Sequence, residues 1–347
     1  MPKPPRKLLN LATLPVPPGP EDLPGPGAPP DPAGREVQAG TAAQPVARFF
    51  GVPFLKGLAQ EVTAIHLCPA KVHLASIRDR SALTVYNRQT LKPVDLGENA
   101  CARRVAFRPR AAGEEAIEMA IVGPLDKPEI ARLDLQGGRW LASLPMAGAS
   151  ALQYSGDGRF VAAGDARGEV RVWLLGAGGP AQVLETRFEA QVESLAFHPE
   201  HPTLYATLAN GALVETALAP SAAAPVGAAL RERAPGVRFH AVCAGPSGYC
   251  IYLAGRDDRV YIVDTATGEA GAFSPKVGPI TSLQVLPASG HLCVLGPRSV
   301  YLLHPEGPDQ RDHLALVCPF DEPIYAAWEL DQGAVLVFHA AEGSLSA

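Results

Sequence analysis

Nine histidines and six cysteines are the side chains best suited to hold a metal or act as nucleophiles, and their spacing limits what they can do. His198 and His201 stand close together in "AFHPEHPTLY", with Glu200 between them. On a helix such a pair would face one way, but Pro199 and Pro202 place it in a loop between strands. A metal site needs three or four ligands converging at about 2.0–2.2 Å. No further ligand accompanies this pair, so the segment reads as a solvent-facing loop. His66, His73, His240, His291, His304, His313 and His339 are scattered without a repeated spacing. The cysteines, Cys68, Cys101, Cys243, Cys250, Cys293 and Cys318, form no C-x-x-C pair, so neither a zinc ribbon nor a dithiol redox motif is indicated. Most lie in apolar runs, where free Cys behaves as a small buried hydrophobe. Cys243 and Cys250 flank the turn "AGPSGY" and could meet across a hairpin; a reduced pair in a reducing compartment is expected.

No catalytic motif of the G-x-S-x-G, H-E-x-x-H or phosphate-loop kind occurs. "GPGAPPDPAGRE" and "GAGGPAQ" are glycine-rich but lack a strand and helix to aim backbone amides at phosphate, so they read as linkers. Arg103, Arg104, Arg108 and Arg110 cluster in "CARRVAFRPR". Arginine pairs bidentately with carboxylate and phosphate, which makes the cluster a conceivable patch for an anion or an acidic partner. A strand that buries Val105 and Phe107, with the arginines along its surface or meeting Glu114 and Glu115, fits the alternation better.

The elements that must position these residues follow from texture. With 47% apolar residues, the 347-residue chain has ample material for a core. Only 19% of residues are charged and the formal net charge is −5, the opposite of the basic surface that nucleic acid needs. No apolar run approaches the roughly 20 residues of a membrane span. Residues 1–45 are rich in Pro, Gly and Ala and are expected to be a disordered arm. Prolines break the amphipathic helix a transit signal would need, and "LLNLATL" is short for a secretory core, so a cytoplasmic location is expected.

From residue 46 to residue 347, short apolar runs alternate with Gly, Pro and Asp turns, without sustained helical periodicity. This is an all-β signature. Seven segments repeat the order strand, turn, strand, tight turn, strand, starting at Val62, Arg103, Ala149, Val192, Phe239, Pro279 and Glu322. Successive starts lie 40 to 47 residues apart, close to the ~40–45 of a four-stranded propeller blade.

The third unit, "SGDGRFVAAGDARGEVRVW", carries a turn, a small-residue strand, a Gly-tipped turn and an alternating strand ending in Trp173. The fifth, "YLAGRDDRVYIVD", has Val263 and Asp264 in the corresponding final places, and the first has Tyr86 and Asn87. On these residues the chain resembles a WD-repeat β-propeller with degenerate repeats, over roughly residues 46–347. No unit opens on the Gly-His dipeptide of the family, so its buried His–Asp network does not carry over. The resemblance implies a seven-bladed propeller of four-stranded antiparallel blades. A lone blade leaves a face wet, and stacking around a circle covers it. Small residues in the second strands, Ala162, Ala163, Ala206, Ala209, Ala254 and Gly255, suit the crowded inner part of a blade. The strand at residues 46–55 is expected to complete the last unit, which lacks an outer strand; "AAEGSLSA" reads as an incomplete blade or a truncation.

In such a fold the turns between second and third strands gather at one end. Here they carry Asp79, Arg80, Asp126, Lys127, Arg167, Asn210, Asp257, Asp258 and Arg298. Asp79, Arg80, Arg167, Asn210, Asp257, Asp258 and Arg298 are the expected partner-binding residues of a non-catalytic protein-interaction scaffold or adaptor. No cofactor, metal, nucleic acid, membrane or small-molecule substrate is expected. Two other readings remain: a structural subunit of a large multiprotein assembly, and a propeller hydrolase or lactonase with a divalent cation at the channel mouth. Asp79, Asp126, Asp257 and Asp258 are the conceivable ligands for such a cation, although Arg80, Arg167 and Arg298 would repel it.

Overall fold

A computed structural model describes residues 48–54, 62–78, 82–87, 92–96, 100–109, 116–123, 129–176, 178–218, 237–286, 289–303, 316–319, 323–329 and 334–340. The expected arm at residues 1–45 lies outside them. All the regular structure among the described residues is β, in seven small sheets.

β1 (Arg48–Phe54) comes first in the chain. The first sheet contains β2 (Val62–Leu67), β3 (His73–Arg78) and β4 (Ala82–Asn87). The second contains β5 (Arg104–Phe107), β6 (Glu118–Val122), β7 (Ile130–Asp134) and β8 (Arg139–Leu144). The third contains β9 (Ala149–Tyr154), β10 (Phe160–Asp165), β11 (Glu169–Gly176) and β12 (Gly179–Arg187). The fourth contains β13 (Val192–Phe197), β14 (Thr203–Leu208) and β15 (Leu213–Ala217). The fifth contains β16 (Phe239–Ala244), β17 (Cys250–Gly255), β18 (Val260–Asp264) and β19 (Ala270–Phe273). The sixth contains β20 (Ser282–Val285), β21 (Leu292–Leu295), β22 (Ser299–Leu303) and β23 (Leu316–Pro319). β24 (Ile324–Glu329) and β25 (Ala334–Ala340) form the seventh together with β1.

Each of the first six sheets is an antiparallel meander in chain order. In the last, β24 and β25 are antiparallel, and β1 adds to β25 in parallel, Arg48 opposite Ala334 and Phe54 opposite Ala340. Residues 48–54 of the N-terminal segment therefore pair with the last hairpin. Three sheets, the first, the fourth and the seventh, have three strands rather than four among the described residues. In the first, an irregular stretch stands in for a fourth strand: Leu83 N–H donates to Ala100 O at 2.9 Å, and Val94 N–H to Val85 O at 2.7 Å.

The core is divided between neighbouring sheets. Buried apolar residues cluster between the first and second sheets (Val85, Met119), the second and third (Ile130, Trp173), and the third and fourth (Val172, Leu204). The series continues between the fourth and fifth (Tyr205, Phe239), the fifth and sixth (Tyr252, Val294), and the sixth and seventh (Cys293, Ala327). Ala326 of the seventh sheet then packs among Val62, Ile65 and Leu74 of the first. Second strands bury both faces, which explains why they read as continuous apolar or small-residue runs; Ala162, Ala163 and Ala254 are fully buried. Ala209 is the exception, half-buried and just beyond β14. Trp173 is the largest fully buried side chain and joins the second and third sheets. Cys243 and Cys250 are not joined by a disulfide. Cys243 stands opposite Tyr252 rather than Cys250, and burial pushes its thiol well above the ordinary range.

Candidate functional site

The strand that opens each repeating unit (β2, β5, β9, β13, β16, β20 and β24) is irregular at its start. In the first, third, fourth, fifth and seventh sheets one residue is inserted against the second strand: Thr63, Ser150, Glu193, His240 and Tyr325. In the second, Arg103 N–H bonds Val122 O while Arg104 is the registered partner of Val122. In the sixth, Thr281 N–H bonds Leu295 O while Ser282 is its registered partner. A β-bulge sharpens local twist and re-aims a side chain. Its recurrence here places polar residues such as Ser150, Glu193 and His240 at one end of the sheets, the end that also carries the turns between second and third strands.

Side chains on or beside these strands tie several neighbouring sheets together. Arg104 Nε–H donates to Ser150 O at 3.1 Å, and Ser150 Oγ donates to Val192 O at 2.8 Å. His240 Nε2–H donates to Ile280 O at 2.9 Å, and Gln284 Nε2 to Ala327 O at 2.8 Å. Arg256, next to the turn of the fifth sheet, lies 3.6 Å from the Glu193 carboxylate of the fourth. Burial lowers the pKa of His240; its bond to Ile280 partly offsets this, and nearby Arg256 adds to it. Burial likewise lowers that of Arg104, with Arg103 adding to the effect and Glu193 opposing it.

The tips expected to bind a partner divide into two groups. Arg167, Asp258 and Arg298 are exposed. The Arg298 turn is anchored, since Pro297 O accepts Ile324 N–H at 2.8 Å. Asn210 and Asp257 are also exposed, but they shape their own turns. Asn210 Oδ1 accepts Ala212 N–H at 3.1 Å, and Asp257 Oδ2 accepts the Tyr261 hydroxyl at 2.7 Å. Asp79, Arg80, Asp126 and Lys127 lie outside the described residues. A residue missed from sequence is Asp165, nearly buried, whose Oδ1 accepts the N–H groups of Arg167 and Glu169, both at 2.8 Å. Its place three residues before the glycine of a tight turn, Gly168, is the available signal.

Gly168 shows how closely this end is built. Its φ is +84°, and a Cβ there would come 2.2 Å from Phe188 O and 2.7 Å from Ala190 O, on the connection to the next sheet. Gly168→Ala is therefore expected to cost about 1–2 kcal/mol for the left-handed backbone alone, and more for the displaced connection. Urea unfolding of the variant measures it; an unchanged midpoint would mean the connection does not sit against the turn.

The opposite end holds a second polar group. Glu118, 3% exposed, accepts Arg132 Nε–H at 2.6 Å and the Tyr154 hydroxyl at 2.8 Å, with Arg108 at 3.5 Å. Arg132 also donates to Ala142 O, and Arg108 to Gly158 O. Burial and the adjacent Glu118 raise the pKa of Tyr154 well above the usual tyrosine range. Burial alone would loosen the proton of Arg132, but the bond to Glu118 outweighs it and holds that proton more firmly. This network joins the second and third sheets; every member is engaged, so it is a structural clamp. Arg108 thus meets Glu118; Glu114 and Glu115 lie outside the described residues. Val105 and Phe107 are buried as their alternation implied.

His198 is not a free loop residue. Its Nδ1 accepts the N–H groups of Glu200 and His201, both at 3.0 Å, and its ring lies against Gly248 of the fifth sheet. The Nδ1 lone pair is thus occupied by backbone N–H groups of its own loop. Among the described residues no group of three or more His, Cys, Asp or Glu side chains converges. No helix among them is long and apolar enough to cross a membrane. The chain matches no protein-family model, and no curated protein matches its sequence.

Proposed function

We infer that the seven sheets are the blades of a closed, WD-repeat-like propeller, and that this propeller is a non-catalytic interaction scaffold whose partner protein docks across the bulged end. Closure is supported by the apolar clusters that join each sheet to its successor, with Ala326 meeting Val62, Ile65 and Leu74 to join last to first. A ring leaves no terminal sheet face wet, which an open array of the same sheets would do. The docking reading rests on one observation: the irregular start of the strand that opens each unit places polar residues at a single end. Binding residues are commonly presented on turns held by a rigid scaffold, and bulges are over-represented where side chains must be re-aimed.

A cation-dependent hydrolase would need carboxylates free to converge. Two at this end are already engaged, Glu193 by Arg256 and Asp257 by Tyr261. This favours the scaffold over the hydrolase.

The test uses the full chain, tagged and recovered from its native lysate with its partners identified by mass spectrometry. Arg167→Glu, Asp258→Lys and Arg298→Glu together are expected to remove the captured partner with the melting temperature unchanged. Asp257 is left alone because Tyr261 depends on it. Unaltered capture sinks this docking face, and a stoichiometric divalent ion in the purified protein moves the reading to the hydrolase.

A further inference from the structure

We propose that the bulged end takes an acidic polypeptide segment and that Arg104 seats its carboxylates; this rests on the docking face proposed above. Arg103, Arg104, Arg167, Arg238, Arg256 and Arg298 are all exposed here, against the carboxylates of Glu189, Glu193, Asp257 and Asp258. That excess of positive charge sits on a chain whose net charge is −5, so one end differs in sign from the whole. Complementary potential of this kind selects and orients a partner.

Arg104 stands apart within the group. Arg256 has a carboxylate, Glu193, at 3.6 Å, whereas Arg104 has none within ion-pair distance among the described residues. Its Nε–H is fixed on Ser150 O. That bond sets the plane of the guanidinium and leaves the two terminal nitrogens, the edge that grips a carboxylate with two parallel hydrogen bonds. Protein surrounds the group closely enough to lower its pKa, Arg103 adds to the effect, and Glu193 only partly compensates. A partly desolvated cation without its own counter-charge gains more from an incoming carboxylate than a fully hydrated one. Glu193, lying between Arg104 and Arg256, competes with that carboxylate. Its removal should therefore strengthen binding.

The probe is hexaglutamate carrying a terminal fluorophore, titrated with the full-length protein and followed by anisotropy at low and at physiological salt. Saturable binding that weakens with salt is expected. Arg104→Glu should weaken it by roughly tenfold or more, the loss of one charge-assisted contact. Glu193→Gln should tighten it, a gain that a misfolded variant cannot produce. Arg159→Glu, on a turn at the opposite end, should leave it unchanged. Absence of saturable binding at low salt overturns the proposal, and so does an equal loss with Arg159→Glu. If hexaglutamate fails while the triple charge reversal still removes the captured partner, the docking face stands and its preference for acidic segments falls. If hexaglutamate binds through Arg104 while capture survives the triple reversal, the acidic site stands and the proposed partner interface falls.

Discussion

Glu118→Ala is expected to lower stability by about 3–5 kcal/mol, the cost of leaving a buried ion without its partner. Arg132 is itself 7% exposed, and with Glu118 gone its Nε and the Tyr154 hydroxyl would have no acceptor in an interior that water scarcely reaches. Arg108 would lose its ion-pair partner as well, but it keeps Gly158 O. The expected drop in melting temperature is roughly 10 °C for a chain of this size. The double variant Glu118→Leu with Arg132→Met is the informative companion. Replacing a buried pair by apolar groups of similar volume is often neutral, so most of the loss should return. Urea unfolding of both variants and of Tyr154→Phe measures the effects. A single-variant loss below about 1 kcal/mol would show that the clamp contributes little to holding the second and third sheets together.

Acid should also destabilise the protein, through His66. Burial first, and Arg104 second, hold its pKa at about 4 against an ordinary value of 6.5. The unfolded chain takes up this proton as pH falls below 6.5, whereas the folded chain resists until about 4. Within that window the unfolded state binds more protons, so stability falls as pH falls. The contribution is fully present above pH 6.5 and is lost progressively toward pH 4. A shift of this size corresponds to at most ~3 kcal/mol. Burial lowers the pKa of His73, His198 and His240 in the same sense, so the whole-protein slope should exceed that of His66 alone. His66→Phe removes an imidazole whose Nε2 has no hydrogen-bond partner among the described residues, and should flatten the stability curve between about pH 6.5 and about pH 4.5. Unfolding midpoints across that range decide it; an identical slope in the variant would mean that His66 is not what titrates.

The docking proposal and these stability predictions concern opposite ends of the same sheets. One end is clamped by a satisfied ionic network around Glu118. The other leaves arginines exposed on bulged strand starts. Substitutions at the two ends should therefore separate cleanly, stability responding at Glu118 and binding at Arg104. His66 is the point of contact between them, because Arg104 helps to hold its pKa down.

Sequence alone determined the all-β class, the spacing of the repeating units and the burial of small second-strand residues and of Val105 and Phe107. These are local properties: period-2 alternation, turn residues and small second-strand side chains such as Ala162 and Ala254 are written in adjacent positions. Tertiary structure alone decided which polar residues meet. Glu118 sits in an apolar run and its partners lie on another strand and on another sheet, 14 and 36 residues away, so no local pattern reveals the pairing. The same holds for the bulges, which appear only when two strands are brought into register, and for Asp257, whose acceptor role depends on where Tyr261 folds back. Spacing and patterning fix which strands form; the contacts between distant sheets, set by packing, fix what each charged side chain is free to do.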